Sequence, residues 1–480
     1  MKFNLISFLS LTIGYNCLAQ SNIISTDVLK NESATTIQSG YDTYKKVALS
    51  IWDYAELGYK EIKSTALLQN TLKDNGFSID AGVAGMPTAF VATYGSGAPV
   101  IAILAEYDAL PGLSQDNSST KTSISNKNSG HACGHHLFGT GSVAAGIAIK
   151  KLLEAGKLKG TIKVFGCPAE EGGSGKVYMV REGLFNNIDV VLHWHPSENN
   201  SIVYTSALAN KSAKFRFSGI ASHASMSPEQ GRSALDGVEA MNNMVNMMRE
   251  HMPQETRIHY VITNGGKAPN VVPEFAEVYY YVRHPDRINV ISIFNRIIKA
   301  AEGASLGTET KMEYEIIGGT HDLLINKTLA QTMQTNLEKA GGVMYTAEEK
   351  TFAKKIQDSF LGKSASIESA AIVKSLHIEK NQGSTDVGDV SYIVPTVGVE
   401  TATWVTGTSA HSWQAIAAGG TDIGIKGMMV ASKTIAFTAI DLFTNPALIK
   451  KAKEEFIQTK ADYQYKALLG DRKPALNYRD

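Results

Sequence analysis

Cysteine is scarce in this sequence: Cys17, Cys133 and Cys167 are its only three cysteines among 480 residues. Cys17 belongs to an N-terminal segment with the features of a secretion signal, so the other two leave room for one disulfide at most. Cys133 and Cys167 lie in segments rich in histidine and glutamate, where a thiolate can serve as a metal ligand. We therefore expect metal chemistry rather than a disulfide at these positions.

Excess charge, internal repeats and long apolar runs are also missing. Lysine plus arginine and aspartate plus glutamate number 46 each. This balance argues against a protein that holds nucleic acid or an anionic membrane through bulk charge. No stretch after the first 20 residues reads as long and apolar enough to span a bilayer. With 43% apolar and 19% charged residues, we expect a soluble globular protein of two or three domains.

The N-terminus has the pattern of a secretion signal. Lys2 precedes an apolar run over residues 3–15, and Ala19 offers a small residue for cleavage. We expect residues 1–19 to be removed and the protein to be exported, to the periplasm or to the medium. The alternative is a short N-terminal helix of the fold. Residues 20–40 are polar and are predicted to form an ordered arm or a linker.

The rest of the chain alternates strands and helices. Apolar runs predict buried strands, and 3.6-residue periodicity predicts helices. Strands are predicted over residues 100–105, 161–166, 188–194 and 396–399, and helices over residues 41–57, 64–75 and 137–153. This order predicts an α/β domain with a mixed, mostly parallel sheet.

The pattern changes over residues 211–321. Half-exposed strands and two helices follow one another there in the order β-α-β-β-α-β, which is typical of a ferredoxin-like α+β unit. We expect this unit to be inserted in a discontinuous larger domain that comprises residues 41–210 and 322–480.

Two clusters carry residues suited to metal binding. Cys133 and His135 stand in a short turn before a glycine-rich helix, and a thiolate with an imidazole suits Zn²⁺ or another late divalent metal. Glu170 and Glu171 follow the strand over residues 161–166, where one carboxylate could ligate and the other could act as general base. Taken singly, the first cluster is also explained as a packed Cys–His pair, and the second as an acidic helix N-terminus.

Two further candidates follow other buried strands. His193 and His195 share a face near the end of one strand, and Asp108, a ligand or a partner of a histidine, follows another. Because open α/β sheets place their sites at the carboxyl ends of the strands, these groups are expected to converge. We therefore predict a metal site.

These segments together resemble the co-catalytic metallohydrolases of aminoacylase and carboxypeptidase type, in particular their amidohydrolase branch and its aminobenzoyl-glutamate hydrolase group. The resemblance spans about residues 41–440. The matching motifs are Glu106-Tyr-Asp108-Ala-Leu-Pro111, His131-Ala-Cys133-Gly-His135, Pro168-Ala-Glu170-Glu171-Gly172, Trp194-His195-Pro196, Gly219-Ile-Ala-Ser-His223, Pro269-Asn270 and Ser409-Ala-His411.

The resemblance implies a hydrolase that cleaves the amide bond of N-acyl amino acids by attack of a metal-bound hydroxide. It implies two divalent ions, Zn²⁺ or Mn²⁺, bridged by the Cys133 thiolate. The other ligands that it implies are His135, Glu171, His195 and His411. Glu170 would be the general base, and Asp108 would support a ligand.

The resemblance also assigns the inserted domain as a lid and dimerisation domain. His223 would reach across a homodimer to the scissile carbonyl, while Asn270 and Arg283 would hold the substrate carboxylate, a task that suits the arginine fork. His136 departs from the family pattern and is a possible extra ligand, and His193 competes with His195. The alternatives are a dipeptidase or carboxypeptidase of the same family, a thiol hydrolase using Cys133, and a non-enzymatic binding protein on the same scaffold.

Overall fold

The computed structural model of the chain describes residues 25–378 and 383–479. The predicted signal segment, residues 1–19, lies outside the described residues, and so does Cys17. Over the described part, the bounds of the predicted strands and helices agree with the observed ones to within a few residues.

Helices and strands alternate along most of the chain. The helices are α1 (Thr26–Ser39), α2 (Tyr41–Tyr54), α3 (Ile62–Asp74), α4 (His135–Glu154), α5 (Glu170–Gly173), α6 (Gly175–Arg181), α7 (Ala234–Met247), α8 (Arg287–Gly307), α9 (Lys327–Ala340), α10 (Ala347–Gln357), α11 (Val387–Ser391), α12 (Trp413–Gly419), α13 (Asp422–Thr444) and α14 (Pro446–Lys460). The strands are β1 (Ser78–Ala81), β2 (Phe90–Ser96), β3 (Val100–Ala105), β4 (Leu110–Pro111), β5 (Ser129–Gly130), β6 (Gly160–Gly166), β7 (Val190–Ser197), β8 (Ser201–Ile202), β9 (Ala209–Ser218), β10 (Arg257–Asn264), β11 (Phe275–His284), β12 (Lys311–Thr320) and β13 (Thr396–Ala402).

A seven-stranded mixed sheet forms the larger part of the molecule, in the order β1-β2-β6-β3-β7-β13-β8. Its four central strands, β6, β3, β7 and β13, run parallel. These strands are apolar and almost wholly buried because helices such as α4 and α13 cover the sheet. The predicted α/β class with a mostly parallel sheet is confirmed.

A second sheet of four antiparallel strands has the order β10-β11-β9-β12. Along the chain its elements follow as β9-α7-β10-β11-α8-β12, which is the predicted order. Alternate residues of β11 are buried against α7 and α8 and form a separate apolar core. The exact domain boundaries, residues 211 and 321, stay a prediction.

The prediction of a linker over residues 20–40 was wrong for most of its length, and the alternative of an ordered arm is correct there, because residues 26–39 form helix α1. Leu29 and Ile37 of α1 are buried, and the helix packs on α13 and α4. Only a few apolar residues lie on its inward face, so the segment reads as polar although the helix packs against distant parts of the chain.

The prediction that no stretch after residue 20 is long and apolar enough to span a bilayer was also wrong. Within the described residues, helix α13 is long and apolar enough to cross a bilayer by length and composition alone. However, 89% of its most apolar window is buried inside the protein. Such burial is typical of a core helix, and α13 indeed packs on α1, α4 and α9.

Candidate metal centre

The site lies where parallel strands end. Glu106 and Asp108 follow β3, α5 follows β6, and β7 itself carries His195. Helix α4 brings His135 to the same edge. At Gly139 of this helix, an added Cβ would lie 2.7 Å from the carbonyl oxygen of Glu106, so only glycine allows so close an approach.

Two groups of possible ligand atoms share Cys133. One group combines Cys133 with His135 and His195, and the other combines it with Glu171 and His411. Within each group all ligand atoms lie within 4.8 Å of one another. Cys133 Sγ is 3.4 Å from His195 Nε2, and His411 Nε2 is 3.1 Å from Glu171 Oε1. The five residues expected to ligate metal are thus brought together.

Asp108 orients two of these residues. Its Oδ1 accepts a hydrogen bond from His135 Nδ1 at 2.8 Å, and its Oδ2 accepts one from the Glu171 amide at 2.8 Å. Because the first bond places the imidazole proton on Nδ1, the lone pair of His135 Nε2 faces the cluster. His195 is set in the same way, since its Nδ1 donates to the Pro196 carbonyl at 2.7 Å and its Nε2 faces Cys133.

The site is electrostatically polarised. Burial raises the pKa of the Cys133 thiol, and burial next to Glu106 and Glu171 raises the pKa of Glu170. Glu171 behaves in the opposite way: burial is outweighed by His411 and His135, which lower its pKa to about 2. The pKa values of two adjacent carboxyl groups are therefore shifted in opposite directions, which holds Glu171 as the carboxylate that a ligand must be and makes Glu170 the stronger base.

The residues fit a metal. His135 Nε2, Glu106 Oε2 and Glu171 Oε1 are buried and lack a hydrogen bond among the described residues. A thiol, imidazoles and a carboxylate are the donors that Zn²⁺ and related ions accept. A bound cation would also favour the thiolate form of Cys133, which burial alone opposes.

A buried charge network that the sequence did not predict lies beneath this cluster. Lys176 Nζ is 2.6 Å from Glu106 Oε1 and 2.6 Å from Asp386 Oδ1, and all three side chains are buried. Glu106 Oε2 in turn lies 3.2 Å from His135 Nε2, and Glu106 and His135 form a third group of candidate ligands with Glu170. Glu106 stood in a quoted motif, but no local pattern singled out Lys176 or Asp386.

Two other histidines near the centre belong to none of the ligand groups formed by the described residues. His136 Nε2 donates to the Gly419 carbonyl at 3.0 Å, and His136 belongs to none of these groups of described residues, which does not favour its suggested role as an extra ligand. His193 lines the cavity but belongs to none of the ligand groups formed by the described residues, which favours His195 over it. Both Cys133 and Cys167 are free thiols.

The candidate metal ligands open into a cavity of about 810 Å³. Strand β11 of the small sheet contributes Tyr279, Tyr281 and Arg283 to its wall. His223 and Asn270 lie outside this cavity on exposed loops, where the Ala224 amide donates to the Asn270 carbonyl at 3.1 Å. Within one chain, Arg283 therefore faces the predicted ligands, and the other two predicted lid residues do not.

Known proteins resemble this chain over most of its length. The family model described as peptidase family M20/M25/M40 matches residues 102–415. One of the relatives is a p-aminobenzoyl-glutamate hydrolase chain of Escherichia coli K12, which is 40% identical over 456 residues, covering 89% of this chain and 95% of that protein. The Xaa-Arg dipeptidase of Mus musculus is 29% identical, covering 91% of this chain and 94% of that protein.

A solved structure has the same fold. The Bacillus subtilis YxeP protein, described as a dinuclear metal-binding peptidase of the M20 family, superposes with a TM-score of 0.57. The match covers 85% of this chain and 99% of that one at 18% sequence identity. At this identity the likeness concerns the fold alone.

Proposed function

Because this chain belongs to peptidase family M20/M25/M40, we propose that it is a metal-dependent amidohydrolase that cleaves N-acyl amino acids. The resemblance inferred from the motifs is confirmed, and the chain is a hydrolase that acts on amide bonds. The observation that carries the proposal is the sharing of Cys133 by two groups of candidate ligands.

In this proposal the two groups of candidate ligands, which share Cys133, would hold two divalent ions. His135 and His195 complete one ligand group, and Glu171 and His411 complete the other. When bound, such ions lower the pKa of a coordinated water and polarise the amide carbonyl. Zn²⁺ suits the thiolate, while Mn²⁺ suits the carboxylate and is also accepted by imidazole.

The side chains of the site then transfer the proton, orient the ligands and bind the substrate carboxylate. A carboxylate oxygen of Glu170 takes a proton from the attacking water and returns it to the departing amide nitrogen. Asp108 holds His135 in the required tautomer and fixes the Glu171 backbone. The guanidinium of Arg283 holds the carboxylate of the amino-acid product, because no ion pair among the described residues occupies it. Asn270, which lies outside the cavity, would assist Arg283 only after the lid closes.

We also propose a homodimer that forms through the small sheet, with His223 completing the partner's site. His223 Nδ1 accepts hydrogen bonds from the amides of Ser225 and Met226 at 3.3 and 3.2 Å. The proton is then on Nε2, which suits donation to an oxyanion. Two inactive variants, His223→Ala and Glu170→Gln, should recover activity when mixed as a refolded heterodimer. A monomer in sedimentation, or dependence on a different protein chain, would contradict this arrangement.

Export remains part of the proposal. The pattern over residues 1–19 supports removal of a leader and a periplasmic or secreted location. Mass spectrometry of the protein from the native cell should give a chain that begins at Gln20. An unprocessed chain in the cytoplasm would contradict it.

A dipeptidase of the same family is the second candidate, because a mouse relative bears that name. Its substrate would carry a free amino group where an N-acyl substrate carries none. A thiol hydrolase is less well supported, since burial raises the pKa of Cys133 and so opposes a free thiolate.

The decisive experiment measures metal content and turnover together. We expect about two metal equivalents by elemental analysis, and hydrolysis of N-acyl amino acids that stops on chelation and returns with Zn²⁺ or Mn²⁺. Cys133→Ala should lose metal and activity, whereas Cys167→Ala, a matched change at the other buried cysteine, should keep both. Metal-free protein with hydrolysis unaffected by chelators would overturn the proposal, and cleavage of dipeptides alone would favour the second candidate.

A further inference from the structure

The segment after α14, residues 461–479, crosses the molecule and ends at the metal centre. We call this segment the C-terminal tail. Tyr478 Oη donates a hydrogen bond to the Glu171 carbonyl at 3.0 Å, and Arg479 Nη2 donates to the same oxygen. Arg479 thereby lines the catalytic cavity, although it is separated from Glu171 by 308 residues.

The backbone around Glu171, which the tail contacts, is irregular. Ala169, Gly172 and Ser174 all have positive φ values, of 56°, 86° and 59°. The Glu171 carbonyl therefore accepts from the tail rather than from a helical amide. Tyr478 Oη already satisfies this oxygen, so the carbonyl does not by itself require an arginine at position 479.

The position of Arg479 is held by contacts along the tail. Arg181 donates to the Arg472 carbonyl at 2.7 Å, and Arg472 Nη1 donates to the Ile317 carbonyl at 3.0 Å. The Tyr478 ring packs edge-on against Tyr59, with 5.6 Å between the ring centroids. These contacts restrain the end of the chain before any ligand binds, which lowers the cost of binding through Arg479.

Arg479 retains unused hydrogen-bond capacity. Its Nε is buried and has no hydrogen-bond partner among the described residues. Among the described residues that line the cavity, Arg283 and Arg479 are the only lysine or arginine side chains, and neither forms an ion pair with a carboxylate. An arginine fork held in this way is suited to a carboxylate ligand.

We propose that Arg479 binds a second carboxylate of the substrate, so that the preferred substrates are N-acyl amino acids with an acidic side chain. The inference rests on the proposed function, in which Arg283 takes the α-carboxylate. The tail would then be part of the substrate-binding surface, and Arg479 would determine specificity without touching the reacting bond.

The test uses two ligands of the same shape that differ by one charge, N-acetyl-L-glutamate and N-acetyl-L-glutamine. The full-length chain should hydrolyse the former with a KM about 10- to 100-fold lower. Arg479→Gln should remove most of this preference by raising the KM for N-acetyl-L-glutamate more than that for N-acetyl-L-glutamine. Lys473→Gln is the matched control, because it removes the same charge from an exposed residue of the tail that does not line the cavity.

Calorimetric binding of the same two ligands to the chelated full-length protein separates the two proposals. The role of Arg479 is supported if the protein prefers N-acetyl-L-glutamate, Arg479→Gln removes this preference and Lys473→Gln keeps it. This conclusion stands even if the metal-loaded chain hydrolyses neither ligand, in which case the proposed function fails. Absence of the preference in the unmodified chain, or its persistence in Arg479→Gln, overturns the role of Arg479 while hydrolysis still supports the proposed function.

Discussion

Two histidine–aspartate pairs are buried in this molecule with nearly the same geometry. At the metal centre, His135 Nδ1 lies 2.8 Å from Asp108 Oδ1, and near the end of β12, His321 Nδ1 lies 2.9 Å from Asp389 Oδ1. In both pairs the second oxygen of the aspartate accepts a backbone amide, from Glu171 at 2.8 Å and from His321 at 3.0 Å.

The pairs differ at the other ring nitrogen. His321 Nε2 is hydrogen bonded to the Tyr463 hydroxyl at 2.8 Å, whereas His135 Nε2 has no hydrogen bond among the described residues and lies among thiol and carboxyl groups. A buried polar atom without a partner is costly unless a ligand pairs with it. A buried His–Asp pair therefore indicates a metal site only where its second nitrogen has no hydrogen bond within the described residues.

The surroundings of the two pairs differ accordingly. Around His321 the rings of Tyr392, Tyr463 and Tyr465 lie at centroid distances of 5.2, 5.8 and 4.8 Å. Tyr465 Oη also donates to Asp389 at 2.8 Å. The phenols of these tyrosines complete the pair as a structural network that joins β12, α11 and the tail, and no ring nitrogen of His321 is left for a metal ion.

The largest effect is expected at Glu170. Glu170→Gln should lower kcat by about 10²- to 10⁴-fold, or about 3–5 kcal/mol, because the amide cannot take the proton from water. Metal content should stay unchanged by elemental analysis. Glu182→Gln, at an exposed glutamate, is the control. A Glu170→Gln chain with normal turnover would show that the base is elsewhere.

Asp389→Asn tests the structural pair. It should lower the free energy of unfolding by about 3 kcal/mol, since it replaces an oxygen that buried donors contact with an amide. Urea unfolding measures this loss. The metal content and kcat of the folded protein should remain those of the unmodified chain, and loss of metal would remove the distinction between the pairs.

Asp108→Asn makes the same change at the metal centre. We expect metal affinity to fall by about 10- to 100-fold, or about 1.4–2.7 kcal/mol, because His135 loses the partner that sets its tautomer. Competition with a chelator measures the affinity. An unchanged affinity would mean that Asp108 serves the fold alone, as Asp389 does.

The pH dependence of stability tests a third buried histidine, His136. Burial lowers its pKa to about 3, so the folded protein holds it neutral while the unfolded chain protonates it near pH 6.5. Its contribution to stability is therefore lost as the pH falls from about 6.5 toward 3. In the chelated protein, His136→Gln should reduce the slope of unfolding free energy by about 1.4 kcal/mol per pH unit over this range. An unchanged slope would contradict the shift.

Local patterns predicted most of the fold and the candidate ligands. Strand β3 was predicted with its observed bounds, and α4 was predicted to within two residues at its start and one at its end. Strand β3 was predicted from a continuous apolar run and α4 from a segment rich in small and apolar residues, and both patterns depend on neighbouring residues. Helix α1 was missed because few of its residues are apolar, and its stability comes from packing on distant helices.

The buried partners of the ligands could not be predicted in this way. Lys176 and Asp386 meet across 210 residues, and neither stands in a pattern that differs from an ordinary surface charge. Glu61 is equally hidden: it is buried and accepts the Ala169 amide at 2.9 Å, just before Glu170. Such contacts arise only when separate elements pack together.

The sequence by itself determined the α/β class, the order of strands and helices, and the chemical types of the candidate ligands, because all of these depend on residues near one another in the chain. The tertiary structure decided that two ligand groups share Cys133 and that His135 keeps a free nitrogen. It also decided that Arg479 ends beside Glu171. The physical reason is that a short-range pattern sets local conformation, whereas the pairing of distant polar groups depends on burial.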